Sequence, residues 1–173
     1  MANLFTYQDY KEYIQNTVID TPIHEQYLKA RLLTQIDEWQ YEDIEEETSS
    51  SGIIIPVDKI VGSYLTNDYE SVSLYELLTT KKHYHRASSL HDFFNILANT
   101  SVQECKNWLK SPACALTDSS QMNGVGGELP TAKYYPDIDK YFINSGKNRA
   151  FSAMLIGADE MCFNTVITRR KKV

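Results

Sequence analysis

The sequence has little of what would mark a membrane or secreted protein. No apolar run approaches the roughly 18 residues that a helix needs to cross a bilayer. The N-terminal stretch, residues 1–7, lacks the basic and then apolar pattern of a signal peptide. These absences predict a cytoplasmic protein without a membrane partner.

Cysteine is also scarce. The chain has only three, Cys105, Cys114 and Cys162, and no two of them form a Cys-x-x-Cys pair. An odd number at wide spacing indicates neither a disulfide framework nor a zinc site, so we expect free, buried thiols. The other metal-ligand candidates are His83, His85 and His91, and no carboxylates stand at a matching spacing. The sequence therefore predicts no metal centre.

Net positive charge is the third absence. The chain has 17 Lys and Arg against 23 Asp and Glu, for a net charge of −6. The acid is concentrated between residues 38 and 47, a stretch with no basic residue. A general nucleic-acid-binding surface normally needs the opposite balance, so nucleic-acid binding stays an open question.

The chain is long enough to form one well-buried domain with a small appendage. Apolar residues at helical spacing predict one helix before Pro22 and a second from Pro22 to Trp39. The Ser/Gly stretch Thr48–Gly52 is the best linker candidate. We therefore predict an N-terminal helical hairpin or cap over residues 1–48 and a main domain over residues 53–173.

The main domain has the pattern of a small α/β (α+β) unit with a mixed sheet. Predicted strands cover residues 53–57, 129–135, 140–143 and 161–168. Predicted helices cover residues 72–78, 89–98 and 102–110, the last with Ser101 and Glu104 in a capping-box pattern. Residues 111–128 are predicted to form a long, mobile loop.

The most informative segment begins at Tyr141. An apolar extended stretch runs into Gly146, Arg149 follows three residues later, and an Ala-rich helical pattern ends at Gly157. Free N–H groups and the dipole at a helix N-terminus favour an anion, and glycine lets the ligand approach the backbone. Arg149 can bind a phosphate through two hydrogen bonds.

The neighbouring residues extend this candidate site. Lys147 would add a second cation, although an exposed lysine at a helix start is common. Ser145 could cap the helix or reach a ligand oxygen, and Gly146 with Arg149 could be only a turn with a surface arginine. Asp58 could serve as a base or simply close a turn.

Three segments resemble the ParB/sulfiredoxin-like superfamily. They are the first box Ile55–Ser63, the step Leu129–Pro130, and the glycine-arginine box Tyr141–Ala158. The resemblance covers about residues 53–168. It implies a compact α/β domain that binds a nucleotide phosphate at the Gly-x-x-Arg turn, with Ser145 to Arg149 as ligand-binding positions. Its members include ParB proteins that hydrolyse CTP, sulfiredoxins that use ATP and an ADP-dependent serine kinase, so the resemblance implies a nucleoside triphosphate with Mg²⁺ as the cofactor.

The chain departs from the family pattern at three of these positions. Ser145 stands where an acidic residue is frequent, and Asn148 where His or Arg is frequent. Lys147 replaces the cysteine of sulfiredoxins, so sulfinic acid reduction is not expected. No helix-turn-helix follows the domain, so sequence-specific DNA binding is not expected either.

Two functions therefore stay open. One is an enzyme that hydrolyses or transfers phosphate, with Arg149 and Asp58 as catalytic residues, and with Asp68 or Glu70 as alternatives to Asp58 for the carboxylate. The other is a non-catalytic module that keeps a degenerate ParB-like fold and binds a protein partner through its N-terminal helices. A nuclease is a weaker third alternative, because no metal-ligand set is visible.

Overall fold

A computed structural model describes residue 12 and residues 22–34, 36–63, 71–79, 101–116 and 129–173. Within these residues the protein has a five-stranded sheet, a separate two-stranded sheet and short helices. The predicted α+β class with a mixed sheet is therefore confirmed.

The described strands are β1 (Leu32–Thr34), β2 (Tyr41–Pro56), β3 (Ile60–Ser63), β4 (Ser71–Ser73), β5 (Thr131–Tyr135), β6 (Lys140–Ser145) and β7 (Glu160–Lys171). The five-stranded sheet has the order β2-β7-β5-β6-β3. β7 is antiparallel to β2 and parallel to β5, whereas β6 is antiparallel to β5 and parallel to β3. β1 and β4 pair antiparallel in the two-stranded sheet.

Five short α-helices of the described chain contribute buried residues to one apolar cluster. They are α1 (Pro22–Ala30), α2 (Leu74–Thr79), α3 (Val102–Leu109), α4 (Pro112–Leu116) and α5 (Lys147–Leu155), with 3-10 helices at Glu38–Gln40 and Val57–Lys59. The predicted capping box of α3 is confirmed. The Ser101 hydroxyl accepts from the Glu104 N–H, and the Glu104 carboxylate accepts from the Ser101 N–H.

Two apolar clusters show how the sheet is covered. The larger one includes residues of α3, α4 and α5 together with strand residues such as Ala132 and Ile143. The smaller one consists of Tyr41, Tyr135 and Phe142, with Ile36 and Val61 packed against it. Successive side chains of a strand point to opposite faces, which places Tyr134 and Tyr135 in different clusters.

The second predicted helix is wrong beyond its first half. α1 ends at Ala30, and Leu32–Thr34 forms β1, in which Leu33 is fully buried opposite Val72. The apolar residues that fit a helical face are thus buried in part by strand pairing, which periodicity alone does not detect. Trp39, the last apolar residue of that predicted helix, is 86% exposed.

The predicted linker lies inside β2. Thr48 pairs with Thr165 and Ile53 with Phe163, so the residues between Thr48 and Ile53 form a bulge in a continuous strand. The strand crosses the expected boundary between residues 48 and 53, and residues 41–48 belong to the same sheet as residues 53–56. A bulge and a linker share Ser/Gly composition, so sequence does not separate them.

The C-terminal half agrees better with prediction. The β5–β6 hairpin, α5 and β7 all form close to their predicted bounds, and the predicted loop over residues 111–128 begins instead with α4. The three cysteines are free and buried, as expected. The predicted helix before Pro22 except Glu12, the helix over residues 89–98, residues 117–128, the three clustered histidines, Asp68 and Glu70 lie outside the described residues.

Candidate functional site

The turn between β6 and α5 has the predicted order of strand, glycine and helix. Gly146 is the N-cap of α5, has φ 82° in the left-handed region, and contributes no side chain to the cap. A Cβ at this position would lie 3.0 Å from Cβ and 3.1 Å from Cα of Pro130. The turn therefore requires glycine both for its backbone angle and for the close approach of Pro130.

Ser145 does not cap the helix. Its hydroxyl donates to the carbonyl of Leu129 at 2.6 Å, which ties the end of β6 to the residues before β5. The expectation that Ser145 caps α5 is wrong because the chain turns one residue later, at Gly146. The hydroxyl of Ser145 therefore donates its hydrogen to Leu129 and not to a group at the helix end.

Arg149 is buried rather than at the surface. Only 4% of the residue is exposed, and one terminal nitrogen donates to the carbonyl of Cys114 at 2.8 Å. A buried guanidinium is costly unless it is hydrogen-bonded, and this bond joins α5 to α4. The alternative of a surface arginine is therefore wrong.

The same guanidinium lies beside a buried thiol. Burial raises the pKa of Cys114 to about 12, and the neighbouring Arg149 opposes that rise. The thiol is thus held neutral despite the adjacent positive charge, which argues against a reactive thiolate here.

Lys147 and Asn148 form the first turn of α5. Their backbone lies at the helix N-terminus, where main-chain N–H groups point out of the helix. Their side chains are outside the described part of the structure.

Asp58 lies at the other end of α5. It is an exposed residue of the 3-10 helix Val57–Lys59, and the N–H of Val57 donates to the carbonyl of Asp159 at 2.9 Å. Asp159 follows α5, whereas Gly146 precedes it. A helix of nine residues is about 13 Å long. Within the described residues, Asp58 and Arg149 are therefore not brought together.

A second polar cluster was not predicted from sequence. The carboxylate of Glu38 is 2.8 Å from the Lys133 ammonium, 3.2 Å from the Tyr135 hydroxyl and 3.5 Å from the Arg169 guanidinium. These four residues come from the first 3-10 helix, β5 and β7, far apart in the chain. No local sequence pattern could have predicted these contacts.

Metal-ligand clusters and membrane-spanning helices are both absent from the described residues. In the part of the chain that the structure describes, no group of three or more His, Cys, Asp or Glu residues could hold a metal ion. None of the described helices is long and apolar enough to cross a membrane.

Comparisons with protein-family models, with curated proteins and with solved structures give no match for this chain. Any functional argument therefore depends on the chemistry of its own residues.

Proposed function

We propose that this chain binds the phosphate of a nucleotide, or of another phosphate-bearing ligand, at the turn between β6 and α5. The main support is Gly146, which opens a nine-residue helix in the left-handed conformation and makes no side-chain hydrogen bond to the helix end. The positive end of the helix dipole and its first N–H groups favour an anion at such a turn.

Arg149 supports the same proposal through its charge. Arg149 is the third residue of α5, and its guanidinium is held by the Cys114 carbonyl and shielded from bulk water. A fixed cation in a region of low dielectric attracts an anion more strongly than a solvated one does. Arg149 thus adds positive potential whether or not it contacts the ligand directly.

The arrangement of the three motif segments also supports a ParB/sulfiredoxin-like domain. The first box enters β3, which pairs in parallel with β6, and Leu129–Pro130 precedes the β5–β6 hairpin. The glycine-arginine box contains β6 and α5. All three segments therefore meet on neighbouring strands of one sheet.

A catalytic reaction of the bound phosphate is a further step of the proposal. Hydrolysis or transfer of phosphate would use a nucleoside triphosphate with Mg²⁺ and a carboxylate close to the phosphate. Val57, the residue before Asp58, is hydrogen-bonded to Asp159, which follows the C-terminal end of α5. We therefore assign binding to the turn and do not assign Asp58 the role of base.

A thermal-shift screen with ATP, ADP, CTP, GTP and inorganic phosphate, with and without Mg²⁺, tests binding. A ligand that binds the folded state raises the melting temperature by mass action. We expect Lys147→Glu, which places a negative charge at the helix start, to weaken binding about tenfold or more in calorimetry.

The control is Lys110→Glu, an exposed residue beyond the end of α3, which should leave the affinity unchanged. Arg149→Lys should also weaken the affinity, with circular dichroism used to confirm the fold. Unchanged affinity in Lys147→Glu and Arg149→Lys would count against a phosphate site at this turn.

The second candidate is a non-catalytic module that retains the fold for protein binding. The observation that favours it is the bond between the buried Arg149 and the Cys114 carbonyl, because this bond gives the arginine a structural role without any ligand. In that case no nucleotide stabilises the wild-type protein, while Arg149→Lys still lowers its melting temperature. The same screen therefore separates the two functions.

A further inference from the structure

β2 offers an exposed sheet edge with an unusual charge. It is the first strand in the order of the five-stranded sheet, and among the described residues only β7 pairs with it. Residues 43–48 of β2 are all exposed. Unpaired N–H and C=O groups on such an edge can accept another strand.

The carboxylates of β2 fall into two groups. Glu42 lies 2.9 Å from Arg170 and Asp43 lies 2.9 Å from Arg169, so β7 neutralises these two. Within the described part of the chain, the carboxylates of Glu45, Glu46 and Glu47 have no cationic partner. The central part of the edge therefore carries an uncompensated negative charge.

This charge selects the kind of strand that can pair with β2. A second copy of β2 would place carboxylates against carboxylates, which is unfavourable for directly opposed residues. Nucleic acids and anionic membranes are repelled for the same reason. A strand with Lys or Arg at alternate positions matches Glu45 and Glu47, which share one face of the sheet.

An aromatic anchor precedes the edge. Trp39 is 86% exposed on the 3-10 helix Glu38–Gln40, two residues before β2. The helix is held from both sides, because Asp37 accepts from the Trp39 N–H and Glu38 contacts Lys133. A tryptophan on such an anchored backbone is a frequent centre of protein interfaces and attracts cations through its ring.

We propose that the β2 edge and Trp39 form a docking surface for a basic, extended segment of a protein partner. The segment adds a strand along residues 42–47 by main-chain hydrogen bonds. Its Lys or Arg side chains face Glu45 and Glu47, and a further cationic or apolar side chain rests on Trp39. This surface is independent of the phosphate site at Gly146.

The probe is a fluorescent peptide of about eight residues, the usual length of a strand, with alternating lysine and valine. Anisotropy measures its affinity, and amide shifts in two-dimensional NMR locate it. We expect binding with shifts in residues 42–47, and a fall in affinity of about tenfold or more in Trp39→Ala and in the triple variant E45Q/E46Q/E47Q.

The matched control is the triple variant E76Q/D159N/E160Q, which removes the same charge from exposed positions elsewhere. It should keep nearly the full affinity. A peptide with alternate N-methylated backbone nitrogens should lose binding, because it keeps its charge but cannot form the strand hydrogen bonds.

Three results would overturn the proposal. The first is the absence of binding by the lysine–valine peptide. The second is equal binding of the N-methylated peptide or equal loss in both triple variants, since either result would mean simple charge attraction. The third is a dimer of the protein, detected by sedimentation, that the Trp39→Ala substitution abolishes. This result would assign the surface to a contact between copies of this chain.

Discussion

At the residue scale, three glycines among the described residues have left-handed backbone angles, and their surroundings differ. Gly52, in the bulge of β2, faces Cys162 and Ala115, whereas Gly157, after α5, has nothing within 4 Å of the position of a Cβ. Gly146 lies between these extremes, against Pro130. Backbone angle and available space can therefore be tested separately.

We expect Gly52→Ala to lower the free energy of unfolding by about 2 to 4 kcal/mol, because its Cβ would overlap the Cys162 sulfur and the angle is unfavourable. Gly157→Ala adds only the strain of the left-handed backbone angle, so it should lower the free energy of unfolding by about 1 kcal/mol. Urea unfolding measures both changes. Equal losses in the two variants would mean that the bulge is not tightly packed on β7.

At the scale of elements, Glu38 holds the first 3-10 helix on the sheet. Its side chain is 27% exposed and its partner Lys133 is 18% exposed. Ion pairs that are this shielded are costly to break from one side, whereas exposed pairs contribute little. The position of Trp39 depends on this contact, because Trp39 is the next residue.

Glu38→Gln should therefore lower the free energy of unfolding by about 1 to 3 kcal/mol, since it leaves Lys133 half-buried without a counter-charge. The control is Glu42→Gln, which removes an exposed pair with Arg170 and should cost less than about 1 kcal/mol. Both values come from urea unfolding. A cost for Glu42→Gln as large as that for Glu38→Gln would contradict the structural role of Glu38.

At the scale of the whole molecule, the sheet tyrosines stabilise the folded state only while they are protonated, so stability falls at high pH. Burial, and then a hydrogen bond to Asp137, raises the pKa of Tyr41 to about 12. Burial also raises the pKa of Tyr135 and of Tyr141, and the pKa of Tyr134 is raised chiefly by its hydrogen bond to Asp139.

Each raised pKa means that the folded chain holds a proton that the unfolded chain has lost. The unfolded tyrosines ionise near pH 10, so the stability contribution is complete below about pH 10 and is lost as the pH rises through the folded pKa. We expect urea unfolding between about pH 8 and about pH 11 to show a falling midpoint, with a shallower fall in Tyr41→Phe. A folded protein whose tyrosinate absorbance rises entirely near pH 10 would contradict this prediction.

The elements that could be predicted from sequence are those with local causes. The capping box of α3 and the hairpin between β5 and β6 depend on residues within a few positions of one another. The turn at Gly146 is local in the same sense, which is why the strand, glycine and helix appear in the predicted order. The fold class follows from the sum of such segments.

Only the tertiary structure determined the contacts between residues that are distant in the sequence. It made β2 one continuous strand through the Ser/Gly stretch, because β7 supplies a partner on both sides of the bulge. It buried Arg149 against Cys114, exposed Trp39, and attached Asp58 to the far end of α5. The sequence by itself determined the turn at which an anion could bind. The packing of α4, α5 and β7 determined that its arginine is held inside the protein, because hydrogen bonds between distant residues leave no trace in local spacing.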